Sequence, residues 1–247
     1  MIRIVHADDH VLFRAALRHL LKHMPNVSVV AEAGNGEEAL ALARELNPDL
    51  VLMDILMPGM GGLEATQRLT RLDRAPAVIA LTSCVEPPFP AQMLKAGALG
   101  YLTKNVTEKE LGVAIKRVFA GRRYVCNEVA QDLASYAFEE HTASPFETLS
   151  NRELQIMMMV INCQKVSEIS AHLHLSPKTV NSYRYRIFEK LKISSDVEMV
   201  LLAVKHGMVA NLVARTGVTA AQEASSPVPL AARPTDADTQ QPQAHAL

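Results

Sequence analysis

Apolar and polar positions divide the chain into two stretches of different period. In the first, short apolar runs rich in Val, Ile and Leu alternate with segments of helical pattern. The runs are Ile2–Ala7, Val27–Ala33, Leu50–Met53, Val78–Leu81 and Leu99–Leu102; the helical segments are Val11–Met24, Gly36–Leu46, Gly62–Leu72, Pro90–Ala96 and Glu108–Phe119. Five strands alternating with five helices predict βαβ crossovers and a parallel sheet covered on both faces. The second stretch has no strand pattern: Ser150–Cys163, Val166–Leu173, Pro177–Leu191 and Asp196–His206 predict four short helices with short turns, a compact bundle. The expected organisation is an α/β domain over residues 1–120, a linker over 121–147 centred near His141–Pro145, and an all-α domain over 148–211. From residue 212 to 247, Ala, Thr, Pro, Gln and Ser dominate with scarcely a large apolar side chain. Such a segment cannot offset its ordering entropy and reads as a disordered tail.

Composition narrows this picture only a little. A length of 247 residues suits two domains, and 49% hydrophobic with 21% charged residues allows a buried core. The formal net charge is −1, so any basic surface for nucleic acid must be local. No apolar run approaches the ~18–20 residues a bilayer crossing needs, and Met1–Ala7 lacks a secretory n-region. Three cysteines without metal spacing (Cys84, Cys126, Cys163) suit a reducing compartment, and the expectation is a cytoplasmic protein.

Candidate chemistry gathers at the predicted strand ends. Asp8 and Asp9 follow the first strand, Asp54 the third, Thr82 the fourth and Lys104 the fifth. In a parallel sheet these ends share one edge, where ligands bind at the switch in strand order. Three carboxylates there repel one another and need a cation, and an all-oxygen site suits Mg²⁺. One carboxylate can then take a phosphoryl group as an acyl phosphate, while a lysine and a hydroxyl meet the transferring oxygens. A single Asp after a strand is often only a helix cap, so the set carries more weight than any member. Cys84, two residues past Thr82, has no basic neighbour in sequence to lower its pKa, so a redox role is not favoured.

These residues and their surroundings (Asp8-Asp9, Met53-Asp54-Ile55-Leu56-Met57-Pro58-Gly59-Met60-Gly61-Gly62, Thr82-Ser83 and Gly100-Tyr101-Leu102-Thr103-Lys104) resemble the receiver domain of two-component response regulators. The resemblance spans about Met1–Ala120 and implies a (βα)5 flavodoxin-like fold. It further implies Asp54 as phosphoacceptor, Mg²⁺ held by Asp8, Asp9, Asp54 and the Leu56 carbonyl, Lys104 on the phosphoryl group, and Thr82 with Tyr101 as the switch.

In the helical stretch, Lys165–Leu175 reads as a short helix entering a turn, and Ser176-Pro177 starts the next as N-cap and first residue. Val180, Ile187 and Leu191 form a buried stripe of that helix, leaving Lys178, Asn181, Ser182, Tyr185 and Arg186 on other faces. Gln164–Lys192 holds Lys165, Lys178, Arg184, Arg186, Lys190 and Lys192 against Glu168 and Glu189, a local charge of +4. A basic second helix suits the DNA major groove, although a helical pair with an ordinary solvated basic face has the same pattern.

Leu149-Ser150-Asn151-Arg152-Glu153, Val166-Ser167-Glu168-Ile169-Ser170 and Leu175-Ser176-Pro177-Lys178-Thr179-Val180 resemble the LuxR-type DNA-binding domain. With the receiver this is the NarL/FixJ architecture, and Asn181-Ser182-Tyr183-Arg184-Tyr185-Arg186 is similar to the GacA/UvrY type of global regulator. The resemblance puts base contacts on Asn181, Ser182 and Tyr185, and phosphate contacts on Lys165, Lys178, Thr179 and Arg186. It implies double-stranded DNA as partner, a hybrid sensor histidine kinase of the BarA/GacS kind as phosphodonor, and small regulatory RNA genes as targets. It also implies a homodimer paired through an edge of the final helix, where Val197, Val200, Leu201 and Val204 form a face that must be partly core. Two departures stand out: the long tail, and Arg184 where the family has an apolar residue, so that its guanidinium must reach solvent, phosphate or an acid. Turnover catalysis is not expected beyond slow self-dephosphorylation. A pure interaction module has no need of the basic helix, and RNA binding lacks an aromatic stacking sheet.

Overall fold

The computed structural model describes residues 1–85, 88–138, 144–206 and 208. Among them, β1 (Ile2–Ala7), β2 (Val27–Ala33), β3 (Leu50–Met53), β4 (Ala77–Thr82), β5 (Gly100–Thr103) and β6 (Tyr124–Val125) form one parallel sheet in the order β2-β1-β3-β4-β5-β6. The helices that return the chain are α1 (Val11–Lys22), α2 (Gly36–Leu46), α3 (Gly62–Leu69), α4 (Phe89–Lys95) and α5 (Glu108–Phe119). Leu50, Val51, Leu52 and Met53 of β3 are all fully buried, which is why this strand reads as an unbroken apolar run rather than an alternation. Burial on this scale contributes about 1.5–3 kcal/mol per large side chain.

Strand order reverses at β1, which has β2 on one side and β3 on the other, and this places a crevice over the carboxyl ends of β1 and β3. Ala7 is registered with Met53, and the Asp54 amide donates to the Ala7 carbonyl at 2.8 Å, so Asp8 and Asp54 leave the sheet side by side. Thr82 is registered with Thr103, and the Lys104 amide donates to the Thr82 carbonyl at 2.9 Å, which brings Lys104 to the same edge.

The stretch expected to be linker, 121–147, departs from that reading. It contains β6, the helix α6 (Asn127–Phe138) and a 3₁₀ turn at Pro145–Thr148. The Tyr124 and Cys126 amides donate to the Leu99 and Tyr101 carbonyls at 2.9 and 3.0 Å, so the segment extends the sheet to a sixth strand. Two residues are too few to display a period, and only the edge of β5 gives them a structure. His141 and the 212–247 stretch read as a tail lie outside the described residues.

The helical domain comprises α7 (Asn151–Ile161), α8 (Val166–Leu173), α9 (Pro177–Leu191) and α10 (Asp196–Lys205). Ser150 and Glu153 form a reciprocal capping box on α7, a feature worth about 1 kcal/mol. Ser176 caps α9 by accepting from the Thr179 amide at 3.1 Å, with Pro177 at the first helical position as the sequence predicts. His174, at φ +52°, closes α8 in the left-handed region and makes the turn into α9. Val180, Ile187 and Leu191 are buried as the stripe requires. On α10, Met199 and Ala203 are buried; of the face expected to be partly core, Val200 packs against the core while Val197, Leu201 and Val204 are exposed. α7 is buried from Glu153 through Ile161, because one side packs in its own domain and the other against the α/β domain.

Candidate functional site

Asp8 and Asp54 sit almost sealed in the crevice, with Asp9 partly exposed beside them. Lys104 Nζ lies 2.6 Å from Asp54 Oδ2 and 2.6 Å from Asp8 Oδ2, so one ammonium serves two buried carboxylates. The other oxygen of Asp54 accepts from the Ile55 amide at 2.7 Å. Burial pushes the Asp54 carboxyl above its ordinary value; Lys104 opposes that shift, Asp8 adds to it, and a hydrogen bond from Thr82 opposes it. Burial disfavours the Lys104 ammonium, but Asp54 and Asp8 outweigh burial and hold its pKa above the usual lysine value. Lys104 Nζ also stands 4.8 Å from the centroid of the Phe13 ring. Arg14 donates to the Asp8 carbonyl, and the His10 amide donates to Asp8 Oδ1 at 2.8 Å.

Carboxylate atoms of Asp8, Asp9 and Asp54, with one ring nitrogen of His10, all lie within 4.8 Å of one another. The three carboxylates are hard oxygen donors carrying more negative charge than Lys104 balances, and they fit a hard divalent cation such as Mg²⁺. Asp9 is not the cap of α1: His10 holds that position, without a side-chain capping bond. Thr82 is buried, its Oγ1 accepting from the Cys84 amide at 3.3 Å. Tyr101 is buried too, with its hydroxyl donating to the Cys84 carbonyl. The residues predicted at the strand ends are therefore brought to one crevice.

The loop between β3 and α3 is held from two sides. The Glu37 carboxylate accepts from the Met60 amide at 2.8 and 2.9 Å, and the Gly36 amide donates to the Met60 carbonyl at 3.0 Å. From the helical domain, Gln155 Nε2 donates to the Met57 carbonyl at 2.7 Å and Arg152 donates to the Gly59 carbonyl. The Gly59 amide in turn donates to the His172 carbonyl at 3.2 Å, and Asn151 Nδ2 to Gln67 Oε1 at 3.2 Å. Gly62 must be glycine: a Cβ there would stand 1.9 Å from the Asp54 carbonyl oxygen. Across the crevice from Asp9, Asp54, Thr82 and Cys84 stand Met159, Asn162, Cys163 and His172, lining a cleft of about 380 Å³. Asn151 and Arg152 belong to the motif of the helical domain, but that motif says nothing of a contact with the α/β domain, and a lone Gln155 or His172 on a helix announces no partner.

On the helical domain, Lys165, Lys178, Ser182, Tyr185 and Arg186 are exposed, while Thr179 and Asn181 are half-buried. Several of these are engaged locally. Ser182 Oγ donates to the Lys178 carbonyl at 3.0 Å, Thr179 Oγ1 lies 2.8 Å from Ser176 Oγ, and the Arg186 guanidinium lies 5.6 Å from the Tyr183 ring centroid. Arg184 reaches an acid, Asp196.

The response regulator receiver domain family matches residues 4–116, and the luxR family of bacterial regulatory proteins matches residues 147–203. The chain belongs to the two-component response regulators with a LuxR-type DNA-binding helix-turn-helix. It is similar to the response regulator GacA of Pseudomonas protegens, with 54% identity over 209 residues that cover 85% of this chain and 98% of that protein. It is similar also to the response regulator UvrY of Escherichia coli K12, at 49% identity over 209 residues covering 84% and 96%. Among solved structures, a LuxR-family two-component response regulator from Aurantimonas sp. SI85-9A1 matches at 39% identity with a TM-score of 0.53, covering 56% of this chain and 98% of that one. The RcsB response regulator of Salmonella typhimurium shares the fold at 21% identity and a TM-score of 0.63, covering 83% and 97%. No helix among the described residues is long and apolar enough to cross a membrane.

Proposed function

We propose that this protein is a phosphorylation-switched transcription factor in which a sensor histidine kinase donates to Asp54 and the acyl phosphate controls DNA binding. The observation that carries this reading is Lys104 at 2.6 Å from both Asp54 and Asp8, a preset cation beside a buried carboxylate. An Asp54 oxygen attacks phosphorus, the P–N bond of the donor phosphohistidine breaks, and the imidazole leaves with a proton. Asp8, Asp9, Asp54 and the Leu56 carbonyl would hold Mg²⁺, which when bound supplies charge neutralisation on the phosphoryl oxygens. Lys104 holds a transferring oxygen, and Thr82 with Tyr101 responds to the new charge. The protein accepts a phosphoryl group rather than turning over a substrate, and at most loses it by slow hydrolysis.

The coupling to DNA runs through the docked helical domain. α7 and α8 close over the phosphoacceptor crevice, while Lys178, Ser182, Tyr185 and Arg186 of α9 stay exposed. Docking therefore leaves both the reading face and the α10 edge open, and its restraint lies in where it holds the receiver domain relative to them. Phosphorylation separates the domains and permits a homodimer on two half-sites, joined through the exposed Val197, Leu201 and Val204 edge of α10. Asn181, Ser182 and Tyr185 read bases, while Lys165, Lys178, Thr179 and Arg186 hold phosphates. Likeness to GacA and UvrY extends the proposal to a cytoplasmic protein, a hybrid kinase of the BarA/GacS kind and small regulatory RNA genes. Genome-wide occupancy of the wild type beside Asp54→Asn tests this reading: strong sites should vanish in the variant. Unchanged occupancy, or equal DNA affinity with and without a phosphodonor, overturns the switch.

A further inference from the structure

Arg184 lies on α9 among the proposed DNA-facing residues, yet its side chain is only 22% exposed. Its Nε donates to Asp196 Oδ1 at 3.3 Å and its terminal nitrogen to Asp196 Oδ2, a two-point pairing with the first residue of α10. The other terminal nitrogen donates to Asn181 Oδ1 at 2.8 Å, and the guanidinium carbon lies 6.0 Å from the Phe188 ring centroid. Three donors of one planar group are thus committed inside the protein. A guanidinium has no acceptor, so the Asn181 amide beside it must turn its oxygen toward Arg184. Nδ2, with its two hydrogens, is the half of the amide left for DNA.

That restriction changes what Asn181 can read. An asparagine free in both halves pairs with adenine, donating to N7 and accepting from the N6 amino group. With one lone pair of Oδ1 taken by Arg184 and the oxygen turned toward it, Nδ2 is the half free to face a base. It finds two acceptors on guanine, N7 and O6, whereas adenine offers only N7 beside an amino group that needs an acceptor. We propose that Arg184 is a specificity-determining positioning residue: anchored by Asp196, it holds the Asn181 amide with its oxygen engaged and its Nδ2 free, and so favours guanine over adenine at the base pair Asn181 reads. This rests on the assignment of α9 as the DNA-reading helix.

The test uses the full-length protein with Mg²⁺ and beryllofluoride as phosphoryl mimic, selected on a pool of randomised duplexes beside Arg184→Leu, Asp196→Ala and Asn181→Ala. Affinity for the selected duplex is also followed against salt. Wild type should prefer guanine over adenine at one base pair by about tenfold, and Asn181→Ala should level that pair. Arg184→Leu and Asp196→Ala should each move the same pair toward adenine by about tenfold, with the other positions and the salt slope unchanged. The two variants open the clamp from opposite ends, so misfolding of one leaves the other decisive. A guanine preference untouched by both overturns the proposal. So does a uniform loss across sequences with the salt slope reduced by about one, which makes Arg184 a phosphate contact. A wild type with a fixed site that Asn181→Ala does not alter removes the proposal alone, whereas a wild type that selects no sequence removes the DNA-reading assignment with it.

Discussion

In the crevice of the receiver domain, Asp8 and Asp54 are all but closed to solvent and a single lysine serves both. On α9, Lys178, Ser182, Tyr185 and Arg186 stand exposed, and the partners they have lie within a turn or so along the same helix. The crevice draws its residues from the ends of β1, β3, β4 and β5; the α9 face comes from one continuous segment. Low local dielectric makes the crevice charges interact strongly and largely independently of salt, whereas those on α9 are screened and remain available to phosphates. One region thus spends its charges inside the protein, and the other keeps them for a partner.

The sharpest way to break this contrast is to remove the acceptor. Asp54→Asn should abolish phosphoryl uptake from a donor, scored by radiolabel or a mobility-shift gel, and chelation of divalent cations should do the same to the wild type. Lys104→Ala should slow uptake by about a hundredfold, comparable with losing a fixed electrostatic donor; a rate within twofold of wild type would remove Lys104 from the chemistry. Lys178→Ala with Arg186→Ala should leave uptake unchanged and weaken DNA binding to every sequence alike, lowering the salt slope by about one per lost phosphate contact.

Smaller effects test the junction and the scaffold. Gln155→Ala deletes the bond to the Met57 carbonyl, and if the docked domain restrains the crevice, phosphorylation should quicken by about three- to tenfold, the effect of a ~1 kcal/mol contact. Glu153 is a strut between α7 and α9: its carboxylate lies 2.6 Å from Lys190 Nζ and accepts from the Ser150 amide at 2.7 Å. Burial raises its pKa, but Lys190 and Ser150 outweigh burial and hold it below the ordinary 4.5. A depressed folded-state pKa contributes stability that is full above pH 4.5 and fades as pH falls through the folded value. Glu153→Gln should therefore cost about 1–2 kcal/mol near neutrality in thermal unfolding and flatten that acid-side loss.

Much of this was legible along the chain, for local reasons. β3 shows itself as an unbroken apolar run because both faces are covered, and Ser176-Pro177 marks the start of α9 because an N-cap and a first-turn proline act within one turn. The strand-end residues could be grouped from sequence because parallel order sends every carboxyl end to one edge. β6 escaped, since a two-residue strand has no period, and so did the burial of Met199 and Ala203 on α10 beside the half-buried Val200. That helix is apolar on more than one side, so its sequence does not say which side meets α7.

The two domains, the strand-end chemistry and the basic helix are written along the chain, because each is encoded by period, capping or residue type over a few neighbouring positions. Which groups share a bond across the chain is set by the folded packing alone. It set Lys104 between Asp8 and Asp54, laid α7 and α8 over the phosphoacceptor crevice, and turned Arg184 onto Asp196 and Asn181. Those choices depend on distances between segments remote in sequence, which packing fixes and local pattern does not carry.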